Sequence, residues 1–475
     1  MGEVRAVPVA GEWTTGQGSR AVTSPFDGAE LARVPVLGRT DVDRAVATAK
    51  SALAGEPLPP WRRAEVLETA AGLLRERVED FARIIAAEAA KPIRTARIEA
   101  TRAAGTFTFA AADARTLAGD VVALDAEDAG GEGKLGFTLR LPIGVVGAIT
   151  PFNFPLNLVA HKLAPAIAAG CPVVLKPAGQ TPLSAIALAE LLVRECNLPA
   201  AYLSVVTGPG SEVGDALVQH PDVALLTFTG SADVGWSIRA AAPKKRVNLE
   251  LGNNAPLIVH EDGDWAAAAA KVKVGGFSHA GQSCISTQRI YAHRPVAASF
   301  VEALVEQVAS LVVGDPLDEA TDVSALISAE DTERVKSWVD DAVGEGARVA
   351  AGGDVRNGVL QPTVLVDVTP DMKVCRDEVF GPVVAVQVYD DFDEALDLAN
   401  DTRFGLQAGV FTADLGRALQ AARTLRFGGV LVNEVPTWRA DQQPYGGVRD
   451  SGNTREGPAY AVREMTELSM IVLSP

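Results

Sequence analysis

Cysteine and histidine are scarce: the 475-residue chain has four of the first and five of the second. Cys171, Cys196, Cys284 and Cys375 lie far apart with no CxxC pair, and His161, His220, His260, His279 and His293 are equally dispersed. A thiolate zinc site or a disulfide framework needs short, repeated spacings, so neither is expected, nor is any other metal centre. Basic residues are outnumbered 43 to 60, for a formal net charge of −17. Such a chain has no general attraction for phosphate backbones or anionic lipid, which argues against nucleic-acid and membrane partners. Long apolar runs are also missing, the stretch 143–149 being far shorter than a membrane span. The N-terminal MGEVRAVPVAGEW lacks the charged-then-apolar order of a signal peptide, and Ala6 stands where a myristoylation signal has Ser or Thr. A cytoplasmic protein is expected.

What is present describes a large globular chain, 48% hydrophobic and 22% charged, and too long for one core. Between Trp61 and Ala90, Leu67, Leu74, Val78, Phe81 and Ile85 recur at helical steps, and Lys91-Pro92 ends the run. From 143 to 251, β-type runs (IGVVGAIT, PVVLKP, YLSVVT, ALLTFT, RVNLEL) alternate with segments long enough for crossover helices. Nearly unbroken apolar strands in such an alternation predict a parallel sheet covered on both faces. A second alternation follows over 270–435, with RIYAH, PTVLVDV, PVVAVQVY and GGVLVN as strands. The fold class is therefore α/β, with two doubly wound domains. The segment 119–139 reads as a projecting hairpin, which the alternating C-terminal run could join as a strand pair for association. These patterns divide the chain into 1–118 with 140–251, then 252–440, and the strands of 119–139 and 458–475.

Three polar residues stand at strand ends or in loops where chemistry is feasible. Cys284, in HAGQSCIS, follows a polar, Gly-containing stretch; as a nucleophile it needs activation, because an ordinary thiol is mostly protonated at neutral pH. Glu250, in NLELGNN, ends an apolar strand, where a carboxylate is costly unless used or paired. Asn153, in TPFNFP, sits between two prolines that stiffen its loop, so its amide could donate to an oxyanion. TGPGSEVG (207–214) misses the GxGxxG fingerprint by one residue and lacks the following acidic residue.

Taken together, the chain resembles the aldehyde dehydrogenase superfamily along nearly its whole length. The resemblance rests on PFNFPLNLVAHKLAPAIAAGCPVVLKPAGQTPLSA (151–185), FTGS (228–231), LELGNNAP (249–256), GQSC (281–284), EVFGPV (378–383) and PYGGVRDSG (444–452). It implies that Cys284 attacks an aldehyde, that Asn153 and the Cys284 N–H hold the oxyanion, and that Glu250 activates the water hydrolysing a thioester. The hydride would pass to NADP or NAD. Lys176 would contact the adenosine ribose, Ser231 the pyrophosphate, and Glu378 with Phe380 the nicotinamide ribose. Thr150, Pro151, Phe152, Gly179, Gly210, Gly214, Phe228, Thr229, Gly230 and Leu251 complete the implied cofactor set. Gly179 replaces the glutamate that many NAD-preferring members carry, which removes a repulsion against a 2′-phosphate. Asn253 replaces a usual glycine. Assembly as a homodimer or homotetramer through the hairpin strand is also implied.

At the substrate end, alignment with the family points Arg102, Asn157, His161 and Arg439 into the tunnel, together with Ser283 and Tyr445. Two arginines and a histidine in an acidic chain suggest an anchor for an anionic aldehyde, a phosphonate, phosphate or carboxylate. A solvated Arg102 and an internally paired Arg439 are the plainer reading. PTWRADQQPYGGVRDSGNTREGP is similar to the branch of phosphonoacetaldehyde, phosphonoformaldehyde and non-phosphorylating glyceraldehyde-3-phosphate dehydrogenases, which makes a phosphonoaldehyde dehydrogenase-like enzyme the first specific expectation. Members that clamp a phosphoryl group often have arginine where this chain has Ser283, which keeps a lactaldehyde or succinate-semialdehyde type of substrate open. Arg289 is expected to be structural. A coenzyme A-dependent acylating enzyme is the rival that Glu250 disfavours, and a catalytically retired structural or binding member is the rival that the intact Cys284, Glu250 and Asn153 disfavour.

Overall fold

The computed structural model describes residues 4–127 and 130–474; residues 1–3, 128–129 and 475, which belong to the expected first segment, hairpin and terminal strand, lie outside it. Two sheets organise the chain. The first has five parallel strands in the order Arg246–Glu250, Val223–Thr229, Val145–Ile149, Val173–Lys176, Leu203–Val205. The second has seven: Arg348–Ala351, Thr363–Val366, Val383–Tyr389, Thr287–His293, Ala255–Val259, Gln407–Phe411 and Gly429–Val432, of which only the first runs antiparallel. Helices cover both, and the buried apolar residues fall into one cluster drawn mainly from 7–251 and others from 257–435. The chain thus has two α/β domains of the doubly wound kind, as its strand–helix alternation predicts. No helix of the described residues is long and apolar enough to cross a membrane.

The elements differ from their sequence reading in instructive places. The helical run of 61–90 is two helices, Pro60–Glu76 and Val78–Ala89, broken at Arg77. After Lys91-Pro92 comes a 24-residue helix, Ile93–Thr116, whose alanines face the core while its polar residues blur the periodicity. The strands Ala255–Val259 and Gln407–Phe411 are buried at every position, so neither shows the alternation that marks a half-exposed strand.

A third, antiparallel sheet joins Val121–Val122, Leu135–Pro142 and the C-terminal Thr466–Leu473. The C-terminal alternation therefore does pair with the hairpin, although Pro458–Glu464 before it is helical. Leu135, Leu139, Leu141, Leu468, Met470 and Val472 of this sheet are all exposed.

The long helix also sets the active loop. Glu99 is buried with Lys91 in an ion pair, and its other oxygen accepts from the backbone N–H of Leu156 (3.0 Å) and of Asn157 (3.1 Å). It thus caps the helix Asn157–Ala169, every residue of which is buried, and so fixes the loop carrying Asn153.

Candidate active site

Cys284 stands at the end of a loop with unusual backbone. His279, Ala280 and Gly281 all have positive φ (51°, 53° and 70°). A Cβ on Gly281 would strike the Gly381 carbonyl, so GQSC and EVFGPV pack together only through glycine. The thiol opens on a cavity of about 350 Å³, also lined by Pro151, Phe152, Asn153, Thr229, Gly230, Ser231, Leu251, Glu378 and Phe380. Leu158, Gly252 and Arg334 complete that lining. Phe152 and Phe380 meet edge to face at 5.8 Å.

Burial pushes the Cys284 thiol up to about 12, and a 3.0 Å contact with the Tyr445 hydroxyl only partly offsets it. Asn153 is buried and donates one amide N–H to the Gln282 carbonyl at 2.9 Å, while its own oxygen has no partner. The second N–H has no partner among the described residues. Glu250 is buried at the end of its strand, and neither carboxylate oxygen has a hydrogen-bond partner. Burial, then the charge of Glu456, hold its carboxyl well above the usual range, against the opposing pull of Arg439 and Lys162. A carboxyl kept protonated but near cations is suited to exchange a proton with water once the site is occupied.

Glu378 is similarly buried, which raises it to about 7; it accepts from the Asn253 backbone N–H at 3.0 Å, and a Cβ on Gly252 would collide with it. Asn253 turns out to be a staple. Its side-chain amide donates to the Gln407 carbonyl at 3.1 Å, and its oxygen accepts from Leu406 N at 3.5 Å, tying the Glu250 turn to the second sheet. Arg289 donates to the carbonyls of Asn254 and Ala399 at 3.0 Å each and to Leu398 at 3.2 Å, so its role is structural.

The remaining expected cofactor residues fall into two groups. Thr150 and Phe228 lie behind the cavity wall: the Thr150 N–H donates to the Lys176 carbonyl at 3.2 Å, and the Phe228 ring fills the space a side chain at Gly230 would need. Lys176, Gly179, Gly210 and Gly214 lie outside the cavity lining. Gly214 rests on the alkyl chain of Lys176 (3.7 Å), and Gly210 opens the turn Gly210–Gly214 with free space beside it. The open space beside Gly210 leaves room for an extended dinucleotide along these strand ends.

The expected substrate residues converge, but on carboxylates that the sequence reading missed. Arg102 forks onto Asp441 (2.8 and 3.2 Å), which also meets His161 Nε2 (3.1 Å) and Asn157 Nδ2 (3.3 Å). Arg439 donates to Glu456 at 3.0 Å, approaches His161 at 3.3 Å, and stacks on the Tyr445 ring at 3.7 Å. Lys162 reaches Glu456 at 3.6 Å. Arg439 is therefore one aromatic ring away from the Cys284 sulfur. Ser283 is buried beside the nucleophile, its hydroxyl accepting weakly from Ile285 N. Of these residues Tyr445 is the one whose side chain bonds the Cys284 sulfur, and none lines the 350 Å³ cavity. Burial drives His161 below its ordinary value, so it is a neutral ring here. Asp441 stands two residues after Arg439, and Glu456 is held by a two-residue backbone bridge to Tyr445; their nearness to arginine in a Pro- and Gly-rich run is the one signal that could have found them.

His260, Glu261 and His293 place potential ligand atoms within 4.8 Å of one another, the one such grouping among the described residues. It lies at the far ends of the second sheet's strands, where Asp262, Arg417 and Asp390 already surround the rings.

The aldehyde dehydrogenase family model matches residues 13–471. The chain is 48% identical over 466 residues to a 3-sulfolactaldehyde dehydrogenase of Priestia megaterium, covering 98% of this chain and 97% of that one. It is similar to the structure of aldehyde dehydrogenase 21 from Physcomitrella patens in complex with the reaction product succinate (TM-score 0.95, 38% identity, 100% and 99% covered). It is likewise similar to glyceraldehyde-3-phosphate dehydrogenase GapN from Methanocaldococcus jannaschii complexed with NADP (TM-score 0.92, 38% identity, 97% and 100% covered).

Proposed function

The chain belongs to the aldehyde dehydrogenase family, and from that premise we propose that it oxidises a small anionic aldehyde to its acid, with NAD(P) as oxidant. In this reading residues 1–118 with 140–251 bind the cofactor, and 252–440 carry the nucleophile. The observation that carries the substrate class is the cluster beyond Tyr445. Arg102, Arg439 and Lys162 meet Asp441 and Glu456, with the Glu250 carboxyl also near Arg439 and Lys162; while that carboxyl keeps its proton, one positive charge of the cluster is uncompensated. Among the described residues Nη1 of neither arginine has a hydrogen-bond partner, so each keeps a donor for a ligand.

The chemistry follows from the placement of three side chains. The Cys284 sulfur adds to the aldehyde carbon as its S–H bond breaks, the proton passing to solvent water, and the carbonyl oxygen becomes an oxyanion. The free N–H of Asn153 and the Cys284 backbone N–H hold that oxygen; loss of one such donor costs about 10²–10³ in rate. NAD(P), held by Glu378, Phe380 and the rest of the lining at Cys284, would supply the hydride acceptor that the passage from thiohemiacetal to thioester needs. Glu250, having lost its proton to solvent, then takes one from the water that attacks the thioester carbon; as the C–S bond breaks, that proton passes on to the leaving sulfur and the thiol is restored.

The relatives' names narrow the substrate further. 3-Sulfolactaldehyde and glyceraldehyde 3-phosphate share a three-carbon 2-hydroxyaldehyde skeleton with an anion on C3, and succinate bears a carboxylate. We assign the skeleton first and a C3 sulfonate as its anion, since the relative of that name is the more similar; a phosphonoaldehyde fits the cluster less well because Ser283 offers no cation beside the nucleophile. Asp441 and Glu456 favour a second reading, in which the arginines are spent internally and neutral lactaldehyde is the substrate.

Steady-state formation of reduced cofactor across 3-sulfolactaldehyde, glyceraldehyde 3-phosphate, succinate semialdehyde and lactaldehyde separates the two. The expected result is a kcat/KM at least about tenfold higher for one anionic aldehyde, about 1.4 kcal/mol of differential binding, with the gap closing in Arg102→Gln. Equal rates in the native enzyme would select the neutral reading.

A further inference from the structure

Two histidines meet at the carboxyl ends of neighbouring strands in the second sheet, away from the chemistry. Ala255–Val259 and Thr287–His293 run parallel with Val259 beside Ala292, so the next residues, His260 and His293, fall side by side with ring centroids 4.4 Å apart. Glu261 follows, and one ligand atom from each of the three lies within 4.8 Å of the others. Dispersed along the chain, these histidines show no metal-ligand spacing; parallel pairing is what unites them. The strand Thr287–His293 leads from the Cys284 loop to this end of the sheet, about 20 Å at roughly 3.3 Å per residue, so the cluster has no part in the thioester chemistry.

Two of the ring nitrogens are set to coordinate. His293 Nε2 donates to the Asp390 carbonyl at 3.1 Å, which leaves the lone pair on Nδ1. His293 Nδ1 and His260 Nδ1 are buried, and neither has a hydrogen-bond partner. The His260 side chain is 5% exposed, a burial at which an idle imidazole nitrogen is costly. Asp262 Oδ1 stands 3.2 Å from His260 Nδ1 without hydrogen-bonding it, the Asp262 oxygens being taken by the Thr412 hydroxyl at 3.0 Å and by Arg417 at 3.1 Å. Burial, then the charge of Arg417, hold His260 below its ordinary value, so its ring is neutral and able to ligate. Glu261 brings a half-exposed carboxylate that no lysine or arginine among the described residues pairs with; His293 Nδ1 is 3.9 Å from it. Tyr389, stacked on His293 at 5.1 Å, adds a third buried polar atom without a partner, its hydroxyl.

Two imidazoles and a carboxylate, open to solvent at Glu261, are the donor set of a borderline divalent cation and not of magnesium or calcium, which take oxygen. We propose that His260, His293 and Glu261 bind a zinc-class divalent cation, with water completing its shell. Ligands about 2.1 Å from such an ion stand about 3.4 Å apart, so the site tightens slightly on loading, through the exposed and unpaired Glu261 side chain. Glu261 and Asp262 outweigh Arg417, and Asp390 is neutralised by Arg294, so the cation enters a locally negative site. Bound there, it ties together two central strands of the second sheet, a structural role.

Titration of the full chain with cobalt(II), after chelator treatment and gel filtration, tests this by absorption spectroscopy. The expected result is one equivalent bound with a Kd of about 10 μM or tighter, visible bands of a nitrogen–oxygen site, and no thiolate-to-metal band. Zinc should displace the cobalt, and about a hundredfold excess of magnesium should not. At about 100 times its Kd, zinc should raise Tm by roughly 3 °C or more. Glu261→Gln, an exposed change that leaves the strands intact, should weaken binding about tenfold or more, and His260→Phe about 100-fold or more. A Glu261→Gln chain that binds cobalt as tightly as the native one would overturn the site, whether or not His260→Phe folds. So would the absence of binding below about 1 mM, or a thiolate band that disappears once iodoacetamide has alkylated Cys284, which would place the metal at the nucleophile.

Discussion

At the scale of single residues, the nucleophile is a thiol placed where its own ionisation is opposed. Cys284 has no cation in direct contact; its sulfur meets a tyrosine hydroxyl whose own proton is also held tightly by burial. A raised thiol pKa means that the reactive thiolate grows tenfold per pH unit until the pH reaches that value. Alkylation of Cys284 by iodoacetamide in the cofactor-free enzyme is therefore expected to accelerate from pH 7 to pH 10 without levelling off. A plateau at or below about pH 8.5, the range of an ordinary thiol, would show that some group lowers the thiol beyond what Tyr445 achieves. The sequence singled out Glu250 at an apolar strand end, Asn153 between two prolines and Cys284 after a polar, Gly-containing stretch. It did not single out Asp441 or Glu456. Asp441 is 339 positions from Arg102, and the 17 positions between Arg439 and Glu456 follow no helical or strand period.

At the scale of elements, the sequence disclosed the strands that alternate with helices and missed those lacking a rhythm of their own. The helix Ile93–Thr116 escaped because Arg, Thr and Glu interrupt its buried alanine face, yet it supplies both Glu99 and Arg102. The antiparallel sheet of Leu135–Pro142 and Thr466–Leu473 was legible from its alternation, and its register is continuous from Thr466↔Pro142 to Leu473↔Leu135. Leu468, Met470 and Val472 project from one face, and Leu135, Leu139 and Leu141 from the other; all are exposed, and Thr466–Leu473 is an open edge. An open edge with apolar faces invites a second copy. We propose that this sheet joins protomers into a dimer or tetramer. Met470→Lys is expected to shift the mass measured by analytical ultracentrifugation toward the monomer. A native chain that sediments as a monomer at micromolar concentration would refute the assignment.

At the scale of the whole molecule, the reaction is divided between two cores. Asn153 and Glu250 come from the ends of the first sheet, Cys284 from the loop entering the second, and Asn253 staples one to the other. The C-terminal run closes the arrangement: Tyr445 touches the sulfur, Glu456 faces Glu250, and Gly452 pairs with Glu250 through the backbone. No single segment holds the chemistry, which is why the whole-length resemblance identified it and the separate motifs, read one by one, could not. The central claim is covalent catalysis at Cys284 with Glu250 releasing the acyl group. It is tested most directly by Glu250→Gln mixed with aldehyde and NADP, quenched in acid and measured by intact-protein and peptide mass spectrometry. The expected result is one equivalent of reduced cofactor formed in a burst, and an acyl mass on the peptide bearing Cys284 that persists after turnover in the native enzyme has cleared it. Reduced cofactor without any adduct on Cys284, or an adduct on another residue, would contradict it.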